Sequence, residues 1–572
     1  MNREEHLRDF RNHVITLSFE NKDYKVIQGS TVEDFLSHHL EIITRDSHYE
    51  ENPIIAIQLN NEVMSFGDHL VISGEVILVR MFSSIGKRMY RHTLSFLLTL
   101  ASQKLFPARR LVIGHALGDG LYFTYDGVYA LSEDEVAQLG NMLSSIVQQM
   151  SDIRLYLVSY HQALEYFDKM GFLATKKLLT YRNDPYLSLY ACNDFIDISY
   201  EPLLPSTHLC PIWELLPYGE RGLLLRYPLS SDFFHIAPFK DNPLLFSIFR
   251  ESKVWGNILK VDCLGAMNDI CGSRHIKTFI RMNEDLQHRK IASIADQVAA
   301  KGGVKVVFVA GPSSSGKTTF TTRLSLQLRM LGYHPIPISL DNYYRTKDKA
   351  PIGEDGKPDL EVLEALDLAL FKENLDALYR GEEVVIPRFE FTGNGKRHFD
   401  THPISLKGNT ILLLEGIHGL NPHLIPEINP STTFKIYISA LTQLNLDDHN
   451  RISTTDNRIL RRIVRDHRTR GTSAQMTLEM WPSVERGESK HIYPYQNEAD
   501  VMINSALEYE LAVLKPYAEP LLKTVKNKAS LAYPTARRLL DFLENVYPIP
   551  ASLVPPESLL REFVGGSEFH AT

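Results

Sequence analysis

Gly311-Pro312-Ser313-Ser314-Ser315-Gly316-Lys317-Thr318 follows the largely apolar run Val304 to Ala310 and precedes a helix-like segment from Lys317 to Leu331. The order strand, glycine-rich turn, helix is the context that a phosphate-binding loop requires. Backbone N–H groups turn inward around an anion, glycines let the backbone approach it, and a helix N-terminus lies behind. A lysine serves the outer phosphates and a threonine hydroxyl serves Mg²⁺. The nucleotide-binding candidates are Gly311, Ser313, Ser314, Ser315, Gly316, Lys317, Thr318 and Thr319.

Beyond the loop, Leu324, Leu328 and Leu331 repeat at helical spacing, and Gly332 stands where a helix C-cap glycine is expected. A second apolar strand, Ile336 to Leu340, delivers Asp341 at its C-terminal end. Strand C-termini face the ligand crevice of an open α/β sheet. Asp341 is therefore placed to take the proton of a hydroxyl attacking a γ-phosphate; a turn or N-cap aspartate is the plainer alternative at an isolated position.

Asp341-Asn342-Tyr343-Tyr344-Arg345 resembles the D-S-F-Y-R motif of uridine kinases within the uridine kinase and phosphoribulokinase family. Leu360 to Asp367 resembles their F-D-x-P-x-A-F-D segment, and Pro387 to Phe391 their P-x-Y-D-F. Glu415-Gly416-Ile417 follows the strand Thr410–Leu414, and Arg461-Arg462-Ile463-Val464-Arg465-Asp466 with Arg470-Gly471 resembles the family's lid. The resemblance covers about 304–520. It implies a P-loop kinase with a parallel sheet, ATP and Mg²⁺ as cofactors, Thr318 and Glu415 serving the metal, and Asp341 as base. It also implies Lys317, Arg465 and Arg470 as the catalytic cations, and an acceptor held among Tyr344, Glu361, Phe389, Asn394 and Arg462. The lid makes physical sense, because charge spread over a transferring phosphoryl group needs cations that arrive with closure.

Departures from the family gather around the base-reading positions. Phe389 stands for a tyrosine, Asn394 or Gly395 for a histidine, Thr472 for an arginine and Met480 for a glutamine. A buried base edge without hydrogen-bond partners loses selectivity by orders of magnitude. Phosphoryl transfer to a nucleoside 5′-hydroxyl leads, with a non-nucleoside hydroxyl compound on the same fold as the alternative.

Toward the N-terminus, strand-like runs at Val14–Phe19, Tyr24–Ile27, Ile54–Leu59 and Val76–Val79 surround a short helix from Thr31 to Leu40. This order resembles the TGS domain, a β-grasp fold. A helix-like run from Arg91 to Leu105, then Ile113 to Phe123 and Phe195 to Thr207, resembles the second additional domain of threonyl- and alanyl-tRNA synthetases. Their editing centre pairs HxxxH with CxxxH; here the pairs read His92…Phe96 and Ser199…Leu203, so the editing chemistry is expected to be absent. His92 then reads as a hydrogen-bonded structural histidine. The expected fold is multidomain α/β and α+β: a TGS-like β-grasp domain over 1–85, an editing-like α+β domain over 86–240, a helical connector over 241–302, the P-loop kinase over 303–525, and a C-terminal helix and tail over 526–572.

A chain of 572 residues exceeds what one core supports. With 44% hydrophobic and 23% charged residues it has the composition of a soluble protein, and a net charge of -8 weighs against nucleic-acid binding except through the synthetase-like half. That half motivates one reading from another class, an RNA- or tRNA-associated protein switched by its nucleotide. No apolar run is long enough to span a bilayer, and the charged N-terminus is unlike a signal, so no membrane partner and a cytoplasmic location are expected. Cys192, Cys210, Cys263 and Cys271 form no CxxC pair and read as reduced thiols. A homo-oligomer is left open.

Overall fold

The structure, a computed structural model, describes residues 13–39, 52–118, 120–127, 130–228, 235–353, 356–390, 395–399, 401–425, 428–527 and 530–569. The first unit comprises β1 (Val14–Phe19), β2 (Lys22–Ile27), α1 (Val32–His38), β3 (Ile54–Leu59), β4 (Glu62–Met64) and β5 (Gly74–Arg80). Its mixed sheet has the order β2-β1-β5-β3-β4, with β1 antiparallel to β2 and parallel to β5. Alternation in β1 puts Ile15, Leu17 and Phe19 into a core shared with Val32, Phe35 and Leu36 of α1. Thr31 starts α1 with a capping box: its hydroxyl accepts the Asp34 N–H, and the Asp34 carboxylate accepts the Thr31 N–H.

The second unit holds α2 (Ser84–Leu105), β6 (Leu111–Leu117), β7 (Gly120–Tyr125), α3 (Glu133–Gln148), β8 (Arg154–Ser159), α4 (Tyr160–Met170), α5 (Leu173–Leu179), β9 (Tyr186–Cys192), β10 (Phe195–Asp197), β11 (Glu214–Tyr218) and β12 (Gly222–Arg226). Two antiparallel sheets result, β11-β12-β7-β6 and β10-β9-β8. Helix α2 begins seven residues before the expected Arg91. Ser83 caps it by accepting the Gly86 N–H, and Gly86 lies where a Cβ would run into the Arg80 and Met81 carbonyls, so the first turn packs on the end of β5.

The remainder comprises α6 (Pro243–Leu259), α7 (Leu264–Cys271), α8 (Ile276–Lys301), β13 (Val306–Ala310), α9 (Lys317–Met330), β14 (His334–Ser339), α10 (Leu368–Tyr379), β15 (Arg388–Glu390), β16 (Lys396–His398), β17 (Thr410–Glu415), β18 (Thr433–Ser439), α11 (Thr454–Arg470), α12 (Ala474–His491), β19 (Val501–Asn504), α13 (Glu510–Leu522), α14 (Ala532–Glu544) and α15 (Arg561–Val564). Five strands form an all-parallel sheet, β14-β17-β13-β18-β19. The central strand β13 is buried at every residue, as helices on both faces of a parallel sheet require. Phe279, Ile291 and Val298 of α8 share one core with Phe320 and Leu324 of α9 and with Leu539, Leu543 and Phe563 near the C-terminus. The expected ranges 241–302, 303–525 and 526–572 therefore draw on a single core, because α8 and the C-terminal helices supply the apolar surface that covers one face of the sheet.

A loop between β18 and α11 docks on the second unit. Asn445 Nδ2 donates to the Ile113 carbonyl at 2.7 Å, Arg110 pairs with Asp448, and Asn450 Nδ2 donates to the Ile198 carbonyl at 3.1 Å. His92, nearby, is half-buried and accepts from the Arg91 guanidinium at 3.2 Å; burial and then the charges of Arg91, Arg88, Arg538 and Arg451 hold it well below the ordinary imidazole range. Phe96 packs edge-on against Phe195, the Ser199 hydroxyl donates to the Glu201 carbonyl, and Leu203 is buried. Among the described residues no group of three or more His, Cys, Asp or Glu could hold a metal ion, and no helix is long and apolar enough to cross a membrane. All four cysteines are buried and unpaired.

Candidate active site

The loop between β13 and α9 is shaped by two backbone requirements. Gly311 lies where a Cβ would meet the Ile438 carbonyl oxygen, and Gly316 has φ +84°, a conformation that glycine adopts without strain. Ser314 also has positive φ, at 59°. Three arginines of α11 fix the loop from behind: Arg458 Nε donates to the Ser313 carbonyl at 2.9 Å, Arg461 Nη1 to the Ser314 carbonyl at 3.2 Å, and Arg462 Nη1 to Ser313 Oγ at 3.0 Å. Arg458 and Arg461 are buried and paired with Glu488 and Glu510. Glu488 also accepts the Ser313 N–H, at 3.1 Å.

Two features inside the loop fit a polyphosphate. The buried Ser314 and Ser315 hydroxyls have no hydrogen-bond partner. Lys317 Nζ turns onto the Gly311 and Pro312 carbonyls at 2.9 and 3.1 Å, and burial lowers its pKa against the pull of Glu415, Asp341 and Glu562. An anion entering the loop would meet an ammonium without a paired carboxylate and hydroxyls in need of an acceptor.

Opposite the loop, Asp341 follows β14 on a short 3₁₀ turn (Leu340–Tyr343), and Glu415 ends the neighbouring β17. Thr318 Oγ1 lies 3.4 Å from Glu415 Oε1. Burial, then the charge of Asp341, pushes Glu415 up to about 7; Asp341 is itself raised by burial and held back by Lys317, Arg470 and Arg465. A hydroxyl beside two carboxylates suits a hard divalent cation that keeps several waters and phosphate oxygens as ligands. Asp466 gathers three arginines of α11, accepting from Arg465 at 2.8 Å and lying 3.3 Å from Arg462 and 3.5 Å from Arg470.

Residues 306–512 match the model of the Phosphoribulokinase / Uridine kinase family. The uridine kinase of Macrococcus caseolyticus is 27% identical over 199 residues, 35% of this chain and 86% of that protein. Over the N-terminal half, the threonine–tRNA ligase of Carboxydothermus hydrogenoformans is 26% identical over 165 residues, 28% of this chain and 26% of that protein. The chain thus spans about a quarter of the length of the threonine–tRNA ligase it matches. A solved structure described as a possible uridine kinase from Bacillus stearothermophilus is 16% identical, covering 38% of this chain and 100% of that one at a TM-score of 0.27.

Tyr344, Glu361 and Phe389, the residues expected to hold an acceptor, come together. Tyr344 is buried, donates its hydroxyl proton to the Leu360 carbonyl at 3.0 Å, and lies 6.1 Å from the Phe389 ring. Glu361 packs against Gly487, where a Cβ would collide with it. Burial pushes its carboxyl up to about 7; Arg462 works against this while Glu488, Asp359 and Asp341 add to it. Phe389 rides on the β15–β16 hairpin and closes over Gly395; the Phe389 N–H donates to Asn342 Oδ1 at 3.2 Å. Asn394 lies outside the described residues.

Several residues at this site were not anticipated. Arg397 ties the hairpin to the Asp341 segment, donating to the Tyr343 and Tyr344 carbonyls at 3.2 and 2.9 Å and to Asp367 at 3.0 Å. His418, three residues after Glu415, is buried, and burial, then the nearby His491, lowers its pKa to about 4 against the pull of the Val362 backbone. A cavity of about 200 Å³ opens beside Glu361, lined by Asp359, Ser483, Arg486, Gly487, Lys490 and His491. A histidine following an E-G-I strand end was the one local signal available.

Proposed function

We propose that the chain transfers the γ-phosphoryl group of ATP to a hydroxyl of a small molecule, with a nucleoside 5′-hydroxyl as the first acceptor to test. The observation that carries this reading is Asp341, which sits just past the C-terminal end of β14, with the positive charges of Lys317, Arg470 and Arg465 acting on its carboxyl. In this reading the attacking hydroxyl gives its proton to Asp341 as its oxygen bonds phosphorus and the bond to the ADP oxygen breaks. Lys317 and the loop amides hold the donor phosphates, while Arg465 and Arg470 stabilise charge on the transferring group. Arg462 and Glu361, with Tyr344 and Phe389, position the acceptor. Mg²⁺, held by the Thr318 hydroxyl and Glu415, would neutralise the phosphates.

The family match over 306–512 and the likeness to uridine kinases support the kinase chemistry. A second acceptor class is favoured by the cavity beside Glu361, whose Arg486, Lys490 and His491 suit a hydroxyl compound that also carries an anionic group. Measuring ADP release with ATP, Mg²⁺ and a panel of nucleosides, sugar phosphates and hydroxy acids separates the two. Turnover confined to nucleosides supports the first reading and turnover confined to anionic acceptors the second. ADP release that no acceptor stimulates contradicts both.

A further inference from the structure

The C-terminal helix α15 reaches the nucleotide loop. Glu562 Oε2 accepts the Thr319 N–H at 3.2 Å and the Thr319 hydroxyl at 2.8 Å, in the first turn of α9. Leu559 lies against Gly316, where any Cβ would collide with its δ carbons. An amide N–H and a hydroxyl, both donating, at the N-terminal turn of a long helix behind a glycine-rich loop form an anion's environment. Glu562 fills it with the chain's own carboxylate. Its charge is also among those that act on Lys317 and Glu415.

The segment's backbone is firmly anchored. Leu560 and Phe563 are fully buried, Arg468 donates to the Glu562 and Phe563 carbonyls at 2.9 and 3.3 Å, and the Arg461 guanidinium lies 4.9 Å from the Phe563 ring. The Glu562 side chain is only partly buried and can rotate about its own bonds while that backbone stays in place. Arg468 belongs to α11, which also carries Arg462, Arg465 and Arg470, so one helix sets the position of the lid cations and of the Glu562 backbone.

We propose that Glu562 is an intramolecular competitor of the phosphoryl donor: its carboxylate holds the Thr319 amide and hydroxyl that a phosphate oxygen of ATP would take, and ATP binds only as this side chain swings out. The inference rests on the reading of the loop as an ATP site. Two anions cannot share those donors, so the apparent affinity for ATP is reduced by the fraction of time that Glu562 occupies them.

Titration calorimetry with ATP on the full chain tests this, using Glu562→Ala, Glu562→Gln and the exposed Glu557→Gln as control, each checked by thermal unfolding. Glu562→Ala should bind ATP about tenfold more tightly than the parent. Glu562→Gln, which keeps the shape and removes the like charge, should fall between them, and Glu557→Gln should match the parent. If Glu562→Ala does not fold, Glu562→Gln alone decides. Unchanged or weaker ATP binding in the folded Glu562 variants overturns the competitor. If neither parent nor variants bind ATP, the donor reading falls with it.

Discussion

His449 Nδ1 lies 2.6 Å from Asp197 Oδ2, a buried pair joining the loop before α11 to the end of β10 in the second unit. Phe172 packs edge-on against the same imidazole at 4.8 Å. Burial opposes the imidazolium, but the charge and hydrogen bond of Asp197 prevail and raise His449 to about 9. The synthetase-like half thus grips the segment from which α11 and its arginines emerge.

A raised histidine pKa stabilises the fold fully below the unfolded value near 6.5 and loses that contribution as pH rises through about 9. The parent should therefore lose thermal stability between pH 6.5 and 9 relative to His449→Gln, and the two curves should run parallel above that window. Asp197→Asn should be less stable than the parent at pH 7, because it leaves a buried imidazolium without its counter-charge. Unfolding followed by circular dichroism across pH checks both.

The lid cations carry a kinetic prediction. Arg465→Ala and Arg470→Ala should each lower kcat by about 10²–10³-fold while changing ATP affinity little, because in the proposed mechanism their charge stabilises the transferring phosphoryl group. A steady-state split between kcat and KM, with ATP binding measured separately, tests this. A loss confined to ATP affinity would make them ground-state binders.

Breaking the Arg458–Glu488 pair should hurt stability more than any lid substitution. Both residues are buried, and the loop's Ser313 N–H and carbonyl depend on them. Removing one partner strands the other charge at a cost of about 3–5 kcal/mol, whereas Arg458→Met with Glu488→Met should recover part of that loss. Denaturant unfolding of the two singles and the double gives the comparison.

Glu361 makes a pH prediction of the same direction as His449, in a lower window. A carboxyl raised to about 7 by burial keeps its proton in the folded state, while the unfolded chain releases it from about 4.5 upward. Stability therefore falls as pH rises from about 4.5 to 7 and stays at its lowest above that. Glu361→Gln removes the penalty and should raise the apparent Tm at pH 8 by about 2–4 °C, with little difference from the parent near pH 4.5. If Glu361 also holds the acceptor, the same variant should raise the acceptor KM.

The parts of the site legible in the sequence are those built from neighbouring residues. The strand, loop and helix around Lys317, and Asp341 at a strand end, follow from apolar runs and glycine spacing within 40 residues, and the structure places them as read. Helix α8 and the lid helix were likewise visible from periodicity and from the arginine run.

The rest depends on pairings that no local pattern announces. Arg458 and Arg461 belong to the same arginine run as Arg465, yet they are buried behind the loop because acidic partners arrive from α12 and α13. Glu562 meets Thr319 across 243 residues, from a four-residue helix that looks like an unremarked tail. The helices before and after the kinase-like segment look like a connector and a terminus because amphipathic periodicity reveals a buried face without saying what it packs on. Asn394 stands in a segment whose geometry is outside the described residues.

Asp341 is the proposed base for phosphoryl transfer. With the best acceptor from the ADP-release panel, Asp341→Asn should bind ATP with near-parental affinity and turn over about 10²–10⁴-fold more slowly at saturating substrates. Turnover within a few fold of the parent, with ATP binding intact, would contradict the assignment of the base and with it the proposed chemistry of the site.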